Sequence, residues 1–224
     1  MAGQLLTRAG AIAAGLLVAL LPASAASAAT VSLWHMDEAS GTTMTDSAGT
    51  NPGRLRSVAL GQPGFLGTGY GFSGVGSIVT VPSSASLNPG AAAFSATVHV
   101  RTTTVTADDS ADVIRKGLST NSKTFWKMEL RPNRTHTSAK VRCYFRGSSA
   151  TASLFATRVV TDGAWHTIQC FKQDATIGVV LDGTTRTKAA AVGSITNGAP
   201  LTIGAKSAAD DAYAGFVDEV SFDR

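Results

Sequence analysis

Past residue 30 the chain is dominated by alternation of apolar and polar positions. Phe94, Ala96, Val98 and Val100 share one face of an extended segment, and Ser95, Thr97, His99 and Arg101 share the other. Val141, Cys143 and Phe145 oppose Arg142, Tyr144 and Arg146 in the same way, and Ile168 and Cys170 fall on one face of theirs. Ten segments rich in β-branched or aromatic residues are predicted as strands: 31–36, 77–81, 94–102, 112–116, 125–130, 140–145, 165–172, 177–181, 201–205 and 215–222. Gly, Pro, Asn, Asp and Ser clusters separate them, and Asp182-Gly183 is the sharpest hairpin signal, because a type I′ turn needs positive φ at both central positions. No segment sustains a helical period. The pattern predicts an all-β chain of two packed antiparallel sheets. Trp34 and Trp165 are read as core, as is Trp126, which alternates with Met128 and Leu130.

The first residues read differently. Arg8 precedes an uncharged apolar run over 9–21, Pro22 breaks it, and small residues follow up to Ala28. That is the pattern of a secretory signal, too short for a membrane span. Residues 1–28 are therefore expected to be a signal peptide and residues 29–224 one domain, released to the outside with no membrane span. Since Arg8 is the only charge in the leader, the formal charge falls from +4 to +3 on its removal. There is no dense basic stripe, so nucleic acid is not an expected partner. In an oxidising compartment the two cysteines, Cys143 and Cys170, are expected to form one buried disulfide.

With the strands placed, several motifs occur in a suggestive order. Ser32-Leu33-Trp34-His35-Met36-Asp37-Glu38, then Asp46-Ser47-Ala48-Gly49, resembles the opening of laminin-G-like, concanavalin-A-like jelly-roll domains. Gly71-Phe72-Ser73-Gly74 to Val81-Pro82, Gly163-Ala164-Trp165-His166, Val179-Val180-Leu181-Asp182-Gly183 and the closing Gly215 to Arg224 resemble later parts of that family. Cysteines placed like Cys143 and Cys170 are similar to those of its secreted actinobacterial members. The resemblance implies a two-sheet antiparallel jelly-roll β-sandwich. Position 99 is His where relatives often carry a Trp able to stack on a sugar.

The superfamily includes retaining glucanases, which need two carboxylates about 5 Å apart on one strand face. Here the only glutamates are Glu38, Glu129 and Glu219, and no Asp or Glu is followed by another at i+2. No Gly-x-Ser-x-Gly elbow exists, and His35, His99, His136 and His166 form no pair with ligand spacing. The chain is expected not to be an enzyme.

Two sites remain as expectations. The resemblance implies a structural Ca²⁺, for which Asp37, Asp46 and Asp218 are the candidate ligands, Asp218 being brought near the 37–46 loop by pairing of the first and last strands. The alternative for Asp37 and Asp46 is turn chemistry. The outward residues His99 and Arg101, together with Arg142, Tyr144 and Arg146, are expected to line one sheet face as a ligand surface, where Tyr stacks and Arg forks to anions. The expected function is a secreted, monomeric binding module for carbohydrate. Its rivals are a protein-interaction domain of the cell envelope and an undetected glycan hydrolase.

Overall fold

The computed structural model describes residues 29–104, 109–118, 120 and 122–224, so the expected leader, 1–28, lies outside the described residues. Sixteen strands make two antiparallel sheets of eight, with no helix among the described residues. The first half holds Thr30–Trp34 (β1), Thr43–Met44 (β2), Gly53–Arg56 (β3), Ala59–Pro63 (β4), Thr68–Ser73 (β5), Ile78–Val81 (β6), Phe94–Arg101 (β7) and Ala111–Lys116 (β8). The second holds Phe125–Pro132 (β9), Ala139–Arg146 (β10), Thr151–Val159 (β11), Trp165–Gln173 (β12), Thr176–Leu181 (β13), Thr184–Ala189 (β14), Leu201–Ile203 (β15) and Ala214–Asp223 (β16). One sheet, here the front sheet, runs β14-β13-β12-β7-β16-β5-β4, with β1 also pairing β16. The back sheet runs β11-β10-β9-β8-β15-β6-β3-β2. This is the expected jelly-roll sandwich, and its first and last strands are indeed neighbours, Trp34 standing opposite Val220.

Alternation decides what fills the space between the sheets. Phe94 of β7 meets Trp126 of β9 at 5.5 Å, Phe145 of β10 at 6.0 Å and Phe222 of β16 at 5.7 Å between ring centroids. Four rings from four strands thus close the gap between the two sheets, each contact adding about 0.5–1.5 kcal/mol beyond simple burial. Trp34 is fully buried, with Nε1 donating to the Asn51 carbonyl at 2.8 Å. Cys143 on β10 and Cys170 on β12 are bonded, with Cα atoms 5.6 Å apart, and both are fully buried. The bond therefore ties back sheet to front sheet through the core.

Trp165 is a correction. It is only half-buried and lies on the outer face of the front sheet, against Arg101 and Phe65. Period two requires this, since Ile168 and Cys170 point inward on the same strand and an odd offset reverses the face. The segments that the pattern did not single out as strands are mostly short, glycine-rich or edge pieces. β2 has two residues, β5 contains Gly69 and Gly71, and β14 is exposed along its whole length. These offer little alternation to read; β11, which buries Ala152, Leu154 and Ala156 on one face, is the exception.

Inward-facing His166 closes one end of the sandwich. Its Nδ1 bonds Asp182 at 2.8 Å, in the β13–β14 turn, and its Nε2 bonds Asp162 at 2.9 Å, in the turn before β12. Asp182 also pairs with Arg158 at 2.7 Å and accepts from the Thr167 amide at 2.9 Å. Burial by itself lowers the imidazole pKa, but the hydrogen bonds to Asp182 and Asp162 outweigh it and raise it. Both ring nitrogens donate only in the imidazolium form.

Two outcomes are expected. Replacing both cysteines by Ser should lower unfolding free energy by about 3–4 kcal/mol, the loop-closure value for a 27-residue separation, read from denaturant melts. The raised His166 pKa places its stabilisation fully below the unfolded value of about 6.5, to be lost as pH rises through the folded value. His166→Gln should remove that alkaline-side decline in melting temperature; an unchanged pH profile in the variant would show that the clamp contributes nothing.

Candidate ligand-binding face

The outer face of the front sheet carries a cross-strand row fixed by register. Trp165 of β12 stands opposite Arg101 of β7, Arg101 opposite Phe216 of β16, Phe216 opposite Gly71 of β5, and Gly71 opposite Ala59 of β4. The Arg101 guanidinium lies 5.1 Å from the Trp165 ring and 4.5 Å from the Phe216 ring. Both are cation–π distances, which hold the guanidinium between two aromatic neighbours. Beyond Phe216 the row drops to glycine and alanine, and the lost side-chain volume opens a groove of about 550 Å³. That volume falls within the ordinary range for ligand clefts, roughly 300–1,000 Å³. Arg101, Phe216 and Gln62 line it together with Thr103, Thr104 and Ser73.

A loop extends the aromatic surface. Between β4 and β5, Gly64 to Thr68 folds over the sheet because two carboxylates grip it. Asp218 Oδ2 accepts from the amides of Phe65 at 2.7 Å and Leu66 at 2.9 Å, and Asp37 Oδ1 accepts from the Thr68 amide at 2.9 Å and hydroxyl at 3.0 Å. The loop needs glycine where it meets them: a Cβ on Gly64 would stand 2.7 Å from Asp218 Oδ2, and one on Gly67, at φ +66°, 2.9 Å from Asp37 Oδ1. So held, Phe65 stacks on His99 at 3.9 Å and meets Trp165 edge-on at 6.2 Å. Phe65 and Leu66 are 49% and 65% exposed, an apolar pair raised beside the row rather than buried.

Asp218 is fully buried beneath this loop. Burial pushes its carboxyl pKa up, and the amides of Leu66 and Phe65 oppose the shift. Next to it, Glu219 has φ +45° at a bulge where β16 shifts register against β7. Its carboxylate bonds His35 Nδ1 at 2.9 Å, which raises the His35 pKa.

The expected site residues are thus divided. His99 and Arg101 lie on the front face, but Arg142, Tyr144 and Arg146 lie on β10 of the back sheet, so the five do not share one face. Alternation gives a residue's side of its own strand, not the sheet to which that strand belongs. Arg142 pairs with buried Glu129 and covers Tyr144 at 5.0 Å, Tyr144 stacks on Phe125 at 5.3 Å, and Arg146 is exposed. Glu129 also meets Lys127, which reaches Asp112 at 3.1 Å, so most of this surface is neutralised within itself. Trp165, Phe216, Phe65 and Gly71 were not singled out as site residues from sequence. For Trp165 and Phe216 the outward phase of alternation was the available signal.

The calcium candidates do not fit an ion as a set. Asp46 Oδ1 accepts from the amides of Leu33, Gly49 and Ala48 at 3.0, 2.9 and 3.2 Å, and its Oδ2 from Asn51 at 3.0 Å. Asp37 and Asp218 are committed to the Phe65 loop, as described above. Among the described residues no group of three His, Cys, Asp or Glu side chains is placed to hold a metal. Asp46 does the turn chemistry that was the alternative reading.

Comparison with known proteins follows the same lines as the geometry. A laminin G family model, described as the concanavalin A-like lectin/glucanases superfamily, matches residues 72–223. No curated protein matches the chain in sequence. Among solved structures, the binding domain of Paraclostridial Mosquitocidal Protein 1 superposes with a TM-score of 0.68 at 13% identity, covering 88% of this chain and 48% of that one. Domain 4 of an extracellular arabinanase from Geobacillus stearothermophilus, in complex with arabinotriose, gives 0.65 at 15%, covering 88% and 93%. The binding domain of botulinum neurotoxin serotype D gives 0.61 at 11%, covering 87% and 48%. The chain thus spans about half the length of the two toxin domains, and these likenesses establish the shared fold. No helix of the described residues is long and apolar enough to cross a membrane.

Because Asp46 and Asp218 accept from backbone amides and Asp37 Oδ1 is taken by Thr68, melting with chelator and with millimolar Ca²⁺ should give the same midpoint. A midpoint raised by calcium would show that an ion is held after all.

Proposed function

The chain belongs to the laminin G family of the concanavalin A-like lectin/glucanase superfamily, and from that membership we propose that it is an extracellular, non-catalytic carbohydrate-binding module. The observation that carries this is the row of Trp165, Arg101 and Phe216 leading into a groove whose lining includes Thr103 and Thr104. Saccharide rings offer apolar C–H faces that stack on aromatic rings, and hydroxyl rims that exchange hydrogen bonds with Thr, Ser and Gln. A rigid sheet supplies both here with little to reorganise on binding. The groove is lined by no Asp or Glu among the described residues, which supports binding without glycoside hydrolysis. The arabinanase domain holding arabinotriose lends the same fold a saccharide precedent. The buried disulfide and the leader-like N-terminus support placement outside the cell.

The test is retention on a panel of immobilised polysaccharides, with Trp165→Ala and Phe216→Ala as variants. Both side chains sit on an outer face, so the variants should fold, and each should weaken retention by roughly 10-fold, the loss of about 1–1.5 kcal/mol of stacking. Retention on no polymer, with specific capture of an envelope protein instead, would sink the saccharide reading in favour of protein recognition.

A further inference from the structure

We propose that the saccharide taken by the front-sheet groove is anionic, and that Arg101 recognises its charged group, a uronate carboxylate or a sulfate ester. This rests on the groove being a saccharide site and adds the chemistry that the site selects. Arg101 is placed unlike the arginines with acidic partners. Arg115 pairs with Asp112 at 2.5 Å, Arg158 with Asp182 at 2.7 Å, and Arg142 with Glu129. Among the described residues the Arg101 guanidinium has only its two aromatic neighbours: no carboxylate lies within ion-pair distance and none of its N–H groups is donated. It is half-buried on a central strand, so its donors are partly withdrawn from water while lacking a protein acceptor.

Charge points the same way. Arg101 is the only ionisable side chain among the described residues that line the groove, and it lends that lining a positive charge. Asp218, two residues beyond Phe216 on β16, is covered by the Phe65 loop and occupied by its amides. A guanidinium presents five donors in a planar fork that matches two oxygens of one anionic group, and the rings of Trp165 and Phe216 on either side limit its movement before the ligand arrives. Thr103 and Thr104, which also line the groove, offer hydroxyls to the neutral positions of the same ring.

The experiment measures affinity of the whole chain for polygalacturonate, dextran sulfate and neutral arabinan by calorimetry and affinity electrophoresis. Arg101→Gln, Arg101→Lys and Phe216→Ala are compared with the parent, and Arg146→Gln, on the back face, is the control. The parent should bind an acidic polymer more tightly than the neutral one, and weaken with added salt. Arg101→Gln should lose about 10–100-fold on the acidic polymer, the range for a lost charge-assisted pair. Arg101→Lys should recover part of it, and Arg146→Gln should lose nothing. Which acidic polymer shows the Arg101 effect distinguishes carboxylate from sulfate. Equal affinity of parent and Arg101→Gln for acidic polymers, with melting curves alike, overturns the assignment. So does tight binding of neutral arabinan alone, which would leave the saccharide reading standing. Binding to no polymer, or binding indifferent to Phe216→Ala, removes the groove reading itself.

Discussion

Everything in this molecule depends on the requirement that one face of each long strand be dry. Phe94, Trp126, Phe145 and Phe222 meet between the sheets, and the Cys143–Cys170 bond crosses the same layer. Once those side chains are committed inward, period two sends their neighbours outward with no freedom of choice. Arg101, Trp165 and Phe216 are outside because Val100, His166 and Val217 are inside. The candidate site is therefore a by-product of core packing that has been filled with useful chemistry.

The rigid sheet would carry only a flat surface if nothing broke its regularity. Two departures shape it. The bulge at Asp218–Glu219 lets one strand present consecutive acids, one buried under the Phe65 loop and the other turned to His35. Met36 and Glu219 both take positive φ, 61° and 45°, where β1 and β16 leave their shared ladder. Non-glycine residues resist that region by about 1–2 kcal/mol, so the hydrogen bonds around Asp37, Asp218 and Glu219 must outweigh the cost locally. The other departure is Gly71, whose missing side chain lets the groove form between Phe216 and Ala59.

The two outer faces illustrate opposite uses of charge. On the back, Asp112, Arg115, Lys127, Glu129 and Arg142 alternate in sign and satisfy one another. Such a surface has little left to offer a ligand, although its sequence looked inviting. On the front, the Arg101 guanidinium lies between two rings and meets no acid among the described residues. The two sets of arginines differ in what the fold brings beside each guanidinium: acids beside Arg115 and Arg142, aromatic rings on either side of Arg101.

Most strands with one dry face were legible in the sequence, β11 excepted, because burial writes a period of two into the residues themselves. So were the inward cysteines, the buried Trp34 and Trp126, the turn at Asp182, and the absence of paired glucanase carboxylates. Asp46 was legible as a turn residue, since an Asp followed by Ser-Ala-Gly has nearby amides to bind. What the sequence could not state was which strand lies beside which. Register and sheet membership come from contacts between distant segments, so only the folded chain separated Arg142, Tyr144 and Arg146 from His99 and Arg101, brought Trp165 and Phe216 to either side of Arg101, and laid Phe65 on His99. Local pattern determines the face of a strand; pairing across more than a hundred residues decides what that face looks at.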